Sequence, residues 1–261
     1  MSTLDLSSPG GALRNFMRVR ASLDGSDVVT WFAGSVSAMI PGEPWRGPLL
    51  GFEGYNVARA VPAEGGFDLL SREAAFYLDP RSGQILRSWS NPSTGEDVDV
   101  IHVWNDPVNF RFREQMPHGP FRVPFREMNG TLFFTSDVFL AYPSPLPRAQ
   151  FPDNSQNDTY QAAELFGFTC DRADLEGDAP GVPATVSWTR IAPWLPWMRM
   201  ADRPGQLVYH CEGMRLGSFN ELPDQVRAEV EENDARYRTA PTDFTEPNET
   251  SWTYFRKLVS S

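Results

Sequence analysis

Between residues 9 and 20, Leu13, Phe16, Met17 and Arg20 fall at i, i+3, i+4 and i+7, a spacing that predicts a short amphipathic helix. From there to about residue 141 the pattern becomes that of strands. The runs at 27–39, 49–60, 67–78, 84–89, 98–104, 121–125 and 131–142 are rich in β-branched and aromatic residues and bounded by Pro, Gly, Asn and Asp. Two connections, 79–83 (Asp-Pro-Arg-Ser-Gly) and 91–95 (Asn-Pro-Ser-Thr-Gly), set Pro and Gly where tight turns use them. Strands joined by such short turns pair antiparallel, because parallel pairing needs crossovers of a dozen residues or more. Residues 143–158 read as a loop, 160–166 as a short helix and 171–181 as an acidic loop. Strands resume at 184–191 and 206–216; helices are expected at 223–238, with acids early and Arg late, and at 248–259. The sum predicts a mainly β chain folded as one domain, 1–261: a single antiparallel β-barrel, lipocalin- or calycin-like, with a short N-terminal helix and C-terminal helices. A barrel of about eight to ten strands can enclose one small ligand.

Composition narrows the class. With 41% hydrophobic residues and 18 Phe, 8 Trp and 7 Tyr, the chain is not disordered, and 23 Pro and 20 Gly without a period exclude coiled coil and collagen. No apolar run reaches the ~18 residues needed to cross a bilayer, and residues 1–11 lack the features of a signal peptide, so no membrane association and a cytoplasmic location are expected. Twenty-three basic against 34 acidic side chains give a formal charge of −11, and Lys257 is the only lysine. That balance, with no basic cluster to interrupt it, disfavours nucleic acid as a partner. Cys170 and Cys211 have no metal-site spacing and read as buried thiols, and sequons at Asn129, Asn157 and Asn248 read as chance. Association into a homo-oligomer is left open.

Three stretches carry chemistry-bearing residues. In 187–200, a strand ending near Ile191 puts Val186, Trp188 and Arg190 on one face, an indole beside a guanidinium suited to a flat anionic ligand. A core Trp with a snorkelling Arg reads equally well. Trp194, Pro196 and Trp197 then form either a rim over a cavity mouth or a packed corner. In 207–214, His210 points to the same side as Val208, Glu212 and Met214 and is the best candidate for proton transfer, with a structural role as the alternative. In 101–110, His102, Trp104 and Asp106 share a strand face, which allows an Asp-oriented His beside an aromatic wall; Asp106-Pro107 equally reads as a turn starter. No spacing supports a metal site, and no nucleophile elbow, phosphate loop or dinucleotide fingerprint is present.

Several segments resemble the bacterial and fungal family known as domain of unknown function 1838. They are 51–55 (Gly-Phe-Glu-Gly-Tyr), Arg72-Glu73 with 77–80, 89–96, 102–109, Trp188-Thr189-Arg190 through Trp197-Met198, and 247–252. The resemblance implies one domain over most of the chain and assigns no catalytic residue. From the residues themselves, the expected function is a cofactor-independent lyase or isomerase acting on a hydrophobic, aromatic small molecule, with elimination or carbon–carbon cleavage of an aryl-substituted alcohol as the concrete case. In it His210 is the acid or base, Arg190 stabilises developing negative charge, Tyr77 or Tyr254 supplies a second proton, and Trp104, Trp188, Trp197, Trp252, His102 and Asp106 bind substrate. No metal or cofactor is called for. The alternative is a non-catalytic carrier with a lipocalin-like barrel.

Overall fold

Ser8 caps the first helix, its hydroxyl accepting the Gly11 N–H at 3.1 Å, and Pro9 supplies the preset φ of a first helical residue, so α1 (Pro9–Arg20) starts where the apolar spacing does. The structure, a computed structural model, describes residues 4–45 and 47–260. Three long strands follow: β1 (Val28–Met39), β2 (Leu50–Ala63) and β3 (Gly66–Leu78). A run of short ones comes next: β4 (Ser88–Ser90), β5 (Asp97–Asp99), β6 (Val103–Asn105), β7 (Phe110–Arg113), β8 (Gln115–Met116), β9 (Gly119–Pro120) and β10 (Phe125–Met128). The last four strands are β11 (Thr131–Pro143), β12 (Thr159–Asp171), β13 (Thr185–Ala192) and β14 (Gln206–Leu216). Three further helices, α2 (Arg172–Glu176), α3 (Asp224–Asn233) and α4 (Ser251–Val259), complete the fold. No described helix is long and apolar enough to cross a membrane.

One ten-stranded sheet runs β10-β11-β12-β13-β14-β1-β2-β3-β6, with β7 also on β3, and all its pairs are antiparallel. The two meanders thus meet where the last long strand, β14, pairs with the first, β1. The hydrogen-bonded path is open: β10 at one edge and β6 and β7 at the other have no ladder between them among the described residues. The sheet nevertheless curls. Leu69 of β3 and Ala58 of β2 share one apolar cluster with Phe134 of β11 and Phe168 of β12, bridged by Ala12, Leu13, Phe16 and Met17 of α1. Phe16 lies 5.7 Å from the Phe168 ring and 6.4 Å from that of Phe134. Gly34 and Gly213 permit the bend, because a Cβ on either would come within 2.0 Å and 2.1 Å of a carbonyl oxygen of the adjoining strand.

Two ends of the concavity are therefore filled by different elements. At one lies α1. At the other lie Trp252 and Phe255 of α4, whose start is fixed by a Thr250–Thr253 capping box, together with the buried Trp194, Trp197 and Met198. The 194–200 segment is a packed corner: Trp194 donates to the Arg203 carbonyl at 3.0 Å, and the amides of Asn91 and Asn154 donate to the carbonyls of Met198 and Pro196. Behind β2 and β3, on the convex face, Val226 and Val230 of α3 with Phe219 and Tyr237 cover Tyr55, Val57 and Phe76.

The structure corrects the expected elements in four places, the first being the expected acidic loop at 171–181, whose residues Arg172–Glu176 form α2. Residues 160–166 are the start of β12, not a helix; Tyr160, Ala162, Glu164, Phe166, Phe168 and Cys170 alternate inward, and full ladders to β11 and β13 hold them extended. The run at 84–89 yields only an isolated bridge from Ile85 to Leu78 and the short β4, and 98–104 divides between β5 and β6. The last is 121–125, whose strand β10 begins only at Phe125.

Candidate functional site

Period-two alternation decides which groups meet. On β13, Val186, Trp188, Arg190 and Ala192 face the concavity; on β14, opposite them, Leu207, Tyr209 and Cys211 do. Since Arg190 pairs with Tyr209 and Thr189 with His210, Arg190 and His210 stand on opposite faces of the sheet. His210 is exposed on the convex side, 3.4 Å from the Thr189 hydroxyl, and cannot serve a site that Arg190 shares. Its predicted companions Val208, Glu212 and Met214 are indeed on its side, but that side is the outer one.

The concave side gathers Glu73 and Tyr77 of β3, Tyr160 and Glu164 of β12, Arg190, Tyr209 and, from the last residue of α1, Arg20. The Arg190 guanidinium donates to the Tyr160 hydroxyl at 2.6 Å, its Nε is 3.7 Å from Glu164, and its carbon lies 5.8 Å from the ring centres of Tyr209 and Trp252. Tyr77 and Tyr209 bring their hydroxyls to 3.4 Å. Burial works against the Arg190 charge, but Tyr160, Glu164 and Tyr209 outweigh it and hold the guanidinium above its usual value. Burial pushes Tyr209 up to about 12, against the pull of Arg190, and pushes Tyr77 well above the ordinary phenol value, so both stay protonated donors. Glu73 is raised to about 7, chiefly by burial and then by Glu164, while Arg190 and Arg20 oppose the shift. Although Glu73, Arg20 and Arg190 are deep in the concavity, none is sealed: the side chains of Arg190 and Glu164 keep 18% and 22% of their surface accessible.

The aromatic residues divide. Trp188 sits inside against Phe32, Phe52, Phe166 and Tyr209; Trp252 packs on Tyr160 at 4.8 Å; Trp197 packs on Tyr77 at 5.4 Å and Trp89 at 5.9 Å. Trp104 instead joins the convex cluster, edge-on to Phe76 and Tyr237. Asp106 does not orient His102: its partner is Arg72 at 2.9 Å, with Arg236 at 3.9 Å. His102 is buried at the edge of β3, where its Nδ1 accepts the Tyr77 N–H at 3.2 Å, and burial lowers it to about 4, which keeps it neutral. Tyr254 is half-buried on α4 with Glu249, Asp234 and Lys257 as its charged neighbours, apart from the Arg190 group. Among the described residues, no three His, Cys, Asp or Glu side chains converge as a metal site would require.

A groove of about 440 Å³ lies elsewhere, lined by Ser93, Glu96, Asp153, Arg199 and residues 200–204. It holds no buried titratable group, and Arg199 is already flanked by Glu96 and Asp153 at 3.6 Å each, so the interior is the better candidate. Sequence reasoning missed Glu73, Glu164, Tyr160, Tyr209 and Arg20. The signal for Glu73 was a carboxylate in phase with Ser71, Ala75 and Tyr77 on an otherwise apolar strand face.

The model of the family described as Protein of unknown function (DUF1838) matches residues 25–259. The chain belongs to that family. Glu73, Glu164, Arg190, Tyr77 and Tyr209 lie within the DUF1838 match, whereas α1 and Arg20 precede it. No curated protein matches the chain.

Proposed function

We propose that the chain is a lyase or isomerase that moves protons on a hydrophobic, aromatic small molecule with side chains alone, and that Glu73 takes the role of base that His210 is too remote to fill. The observation that carries this reading is a carboxyl raised to about 7 that makes no hydrogen bond among the described residues, set in an aromatic interior with Arg190 and the Tyr77–Tyr209 hydroxyls. In an elimination, Glu73 takes the proton from carbon, that bond's electron pair becomes the new double bond, and the hydroxyl leaves as water with a proton from Tyr77 or Tyr209. Arg190 stabilises the negative charge that develops on oxygen, an effect worth about 3 kcal/mol in a site poor in water. The curled sheet, stopped at its ends by α1 and α4, does the work of a lipocalin-like barrel. Incubation with a panel of aryl-substituted alcohols, followed by tryptophan fluorescence and mass spectrometry, tests it: turnover should fall about 100-fold or more in Glu73→Gln. Binding without a mass change across all binders would leave the carrier reading in its place.

A further inference from the structure

The two edges of the open sheet end differently. β6 lies against α4, whereas β10 covers β11 only from Thr131 to Phe134, and Thr135 then donates its N–H to the Pro124 carbonyl at 3.0 Å. From Ser136 to Pro143, β11 pairs with β12 on one side and with no strand on the other among the described residues. Because its register on β12 is unbroken, Asp137, Phe139 and Ala141 turn their backbone N–H and C=O groups outward as Thr135 does, and Pro143 turns out a carbonyl alone. The usual guards of an exposed edge are missing. The segment has no bulge, no Pro before its last residue and no charge except Asp137, while Phe139 is 76% and Val138 39% exposed.

We propose that this edge joins a second copy of the chain, β11 pairing antiparallel with β11 about a two-fold axis at Leu140. In that register Phe139 faces Ala141 of the second copy and Asp137 faces its Pro143, so every outward amide of 137, 139 and 141 meets a carbonyl. On the inner side Val138 faces Tyr142 and Leu140 faces its own copy, pairs that are apolar throughout. Charge favours the same partner. Each chain carries −11, and this strip lets two such chains approach with no like charges opposed, since Asp137 meets a proline ring. Other registers fit less well. An axis at Phe139 would drive Pro143 into the place that Pro124 holds opposite Thr135, and one at Ala141 would leave the Asp137 amide unpaired. A ladder over 137–143, about 24 Å long, buries less than the roughly 800 Å² per partner of a standard interface, so the dimer is weak, with a Kd on the order of 10–100 µM.

The test is sedimentation velocity on the full chain from about 1 to 300 µM, with hydrogen exchange at both ends of the range. The dilute chain should sediment as a monomer with fast amides at 137, 139 and 141, and the concentrated one as a dimer in which those amides slow about threefold or more. Phe139→Glu sets like charges diagonally across the axis, and Ala141→Pro removes an amide that has no partner in the single chain. Each should weaken association about tenfold or more while the melting temperature stays within about 2 °C. Leu140→Cys should cross-link to a dimer under diamide, because its Cα and that of its copy would stand about 4.5 Å apart, and Val138→Cys should not. The native Cys170 and Cys211 are buried and do not compete. A monomer at every concentration, a dimer that both substitutions leave intact, or cross-linking through Val138→Cys in place of Leu140→Cys would overturn the proposal.

Discussion

Burial and the charge of Glu164 push Glu73 up to about 7 from the usual 4.5, so between those values the folded chain holds a proton that the unfolded chain has released. Glu73 therefore contributes stability that is present below pH 4.5 and lost as pH rises through about 7. His102 works the other way. Held at about 4 against the usual 6.5, it contributes stability that is present above pH 6.5 and lost as pH falls through about 4. In the native protein the two oppose each other over much of this range. Glu73→Gln should remove the decline toward pH 7 and uncover the rise due to His102, as urea unfolding between about pH 4 and 8 will read. Identical pH profiles for the two proteins would mean that Glu73 is not perturbed. Arg190 invites a double-mutant cycle, because removing it strands Glu164 beside Tyr160. Arg190→Met should destabilise by about 3 kcal/mol, and Glu164→Gln in that background should recover a large part of the loss.

At the scale of the strand, facing decides everything. His210 lies one residue from Tyr209, yet a period of two sends it to the exposed outer face, so His210→Ala should change turnover by less than about twofold and stability by less than about 0.5 kcal/mol. A large loss of activity in that variant would mean that the register of β13 on β14 is wrong. The predicted face was right in membership and wrong in side, since alternation says which residues travel together and leaves open which set turns inward. Helix α1 was legible from its spacing and its Ser8-Pro9 start because a cap and an amphipathic stripe are local. β12 was not, because Tyr160, Ala163 and Glu164 fit a helical period while Tyr160, Ala162 and Glu164 fit a strand one, and only the partners on both sides exclude the helix. Gly34 shows the same dependence on neighbours. A Cβ there would meet the His210 carbonyl oxygen at 2.0 Å, so Gly34→Ala should cost about 3 kcal/mol or prevent folding, measured as soluble yield and melting temperature.

For the molecule as a whole, the open sheet is held in its curl by what packs inside it. α1 ties β2 and β3 to β11 and β12, and α4 with the 194–200 corner fills the other end, which leaves the charged groups of the interior between two apolar plugs. Beyond Phe134 the outer edge of β11 has no strand partner among the described residues, and Val138 and Phe139 are exposed. Hydrogen exchange should follow this order: slowest in β1, β2, β13 and β14 at the centre of the sheet, and fast at alternate amides between residues 135 and 143. Uniform protection across β11 would reveal a further strand covering that edge, as a second copy of the chain would supply.

The sequence by itself determined the class of this protein, the antiparallel meanders, their turns and most strand bounds, because period, turn chemistry and caps act over a few residues. It also singled out Arg190, Tyr77, Trp188, Trp197 and Trp252, which the structure places inside. Only the tertiary structure decided that His210 faces outward, that Asp106 serves Arg72, and that Arg20, Glu73, Glu164 and Tyr209 meet. Those groups come from four separate elements spread over some two hundred residues, and the desolvation that perturbs them exists only when the sheet has curled around them.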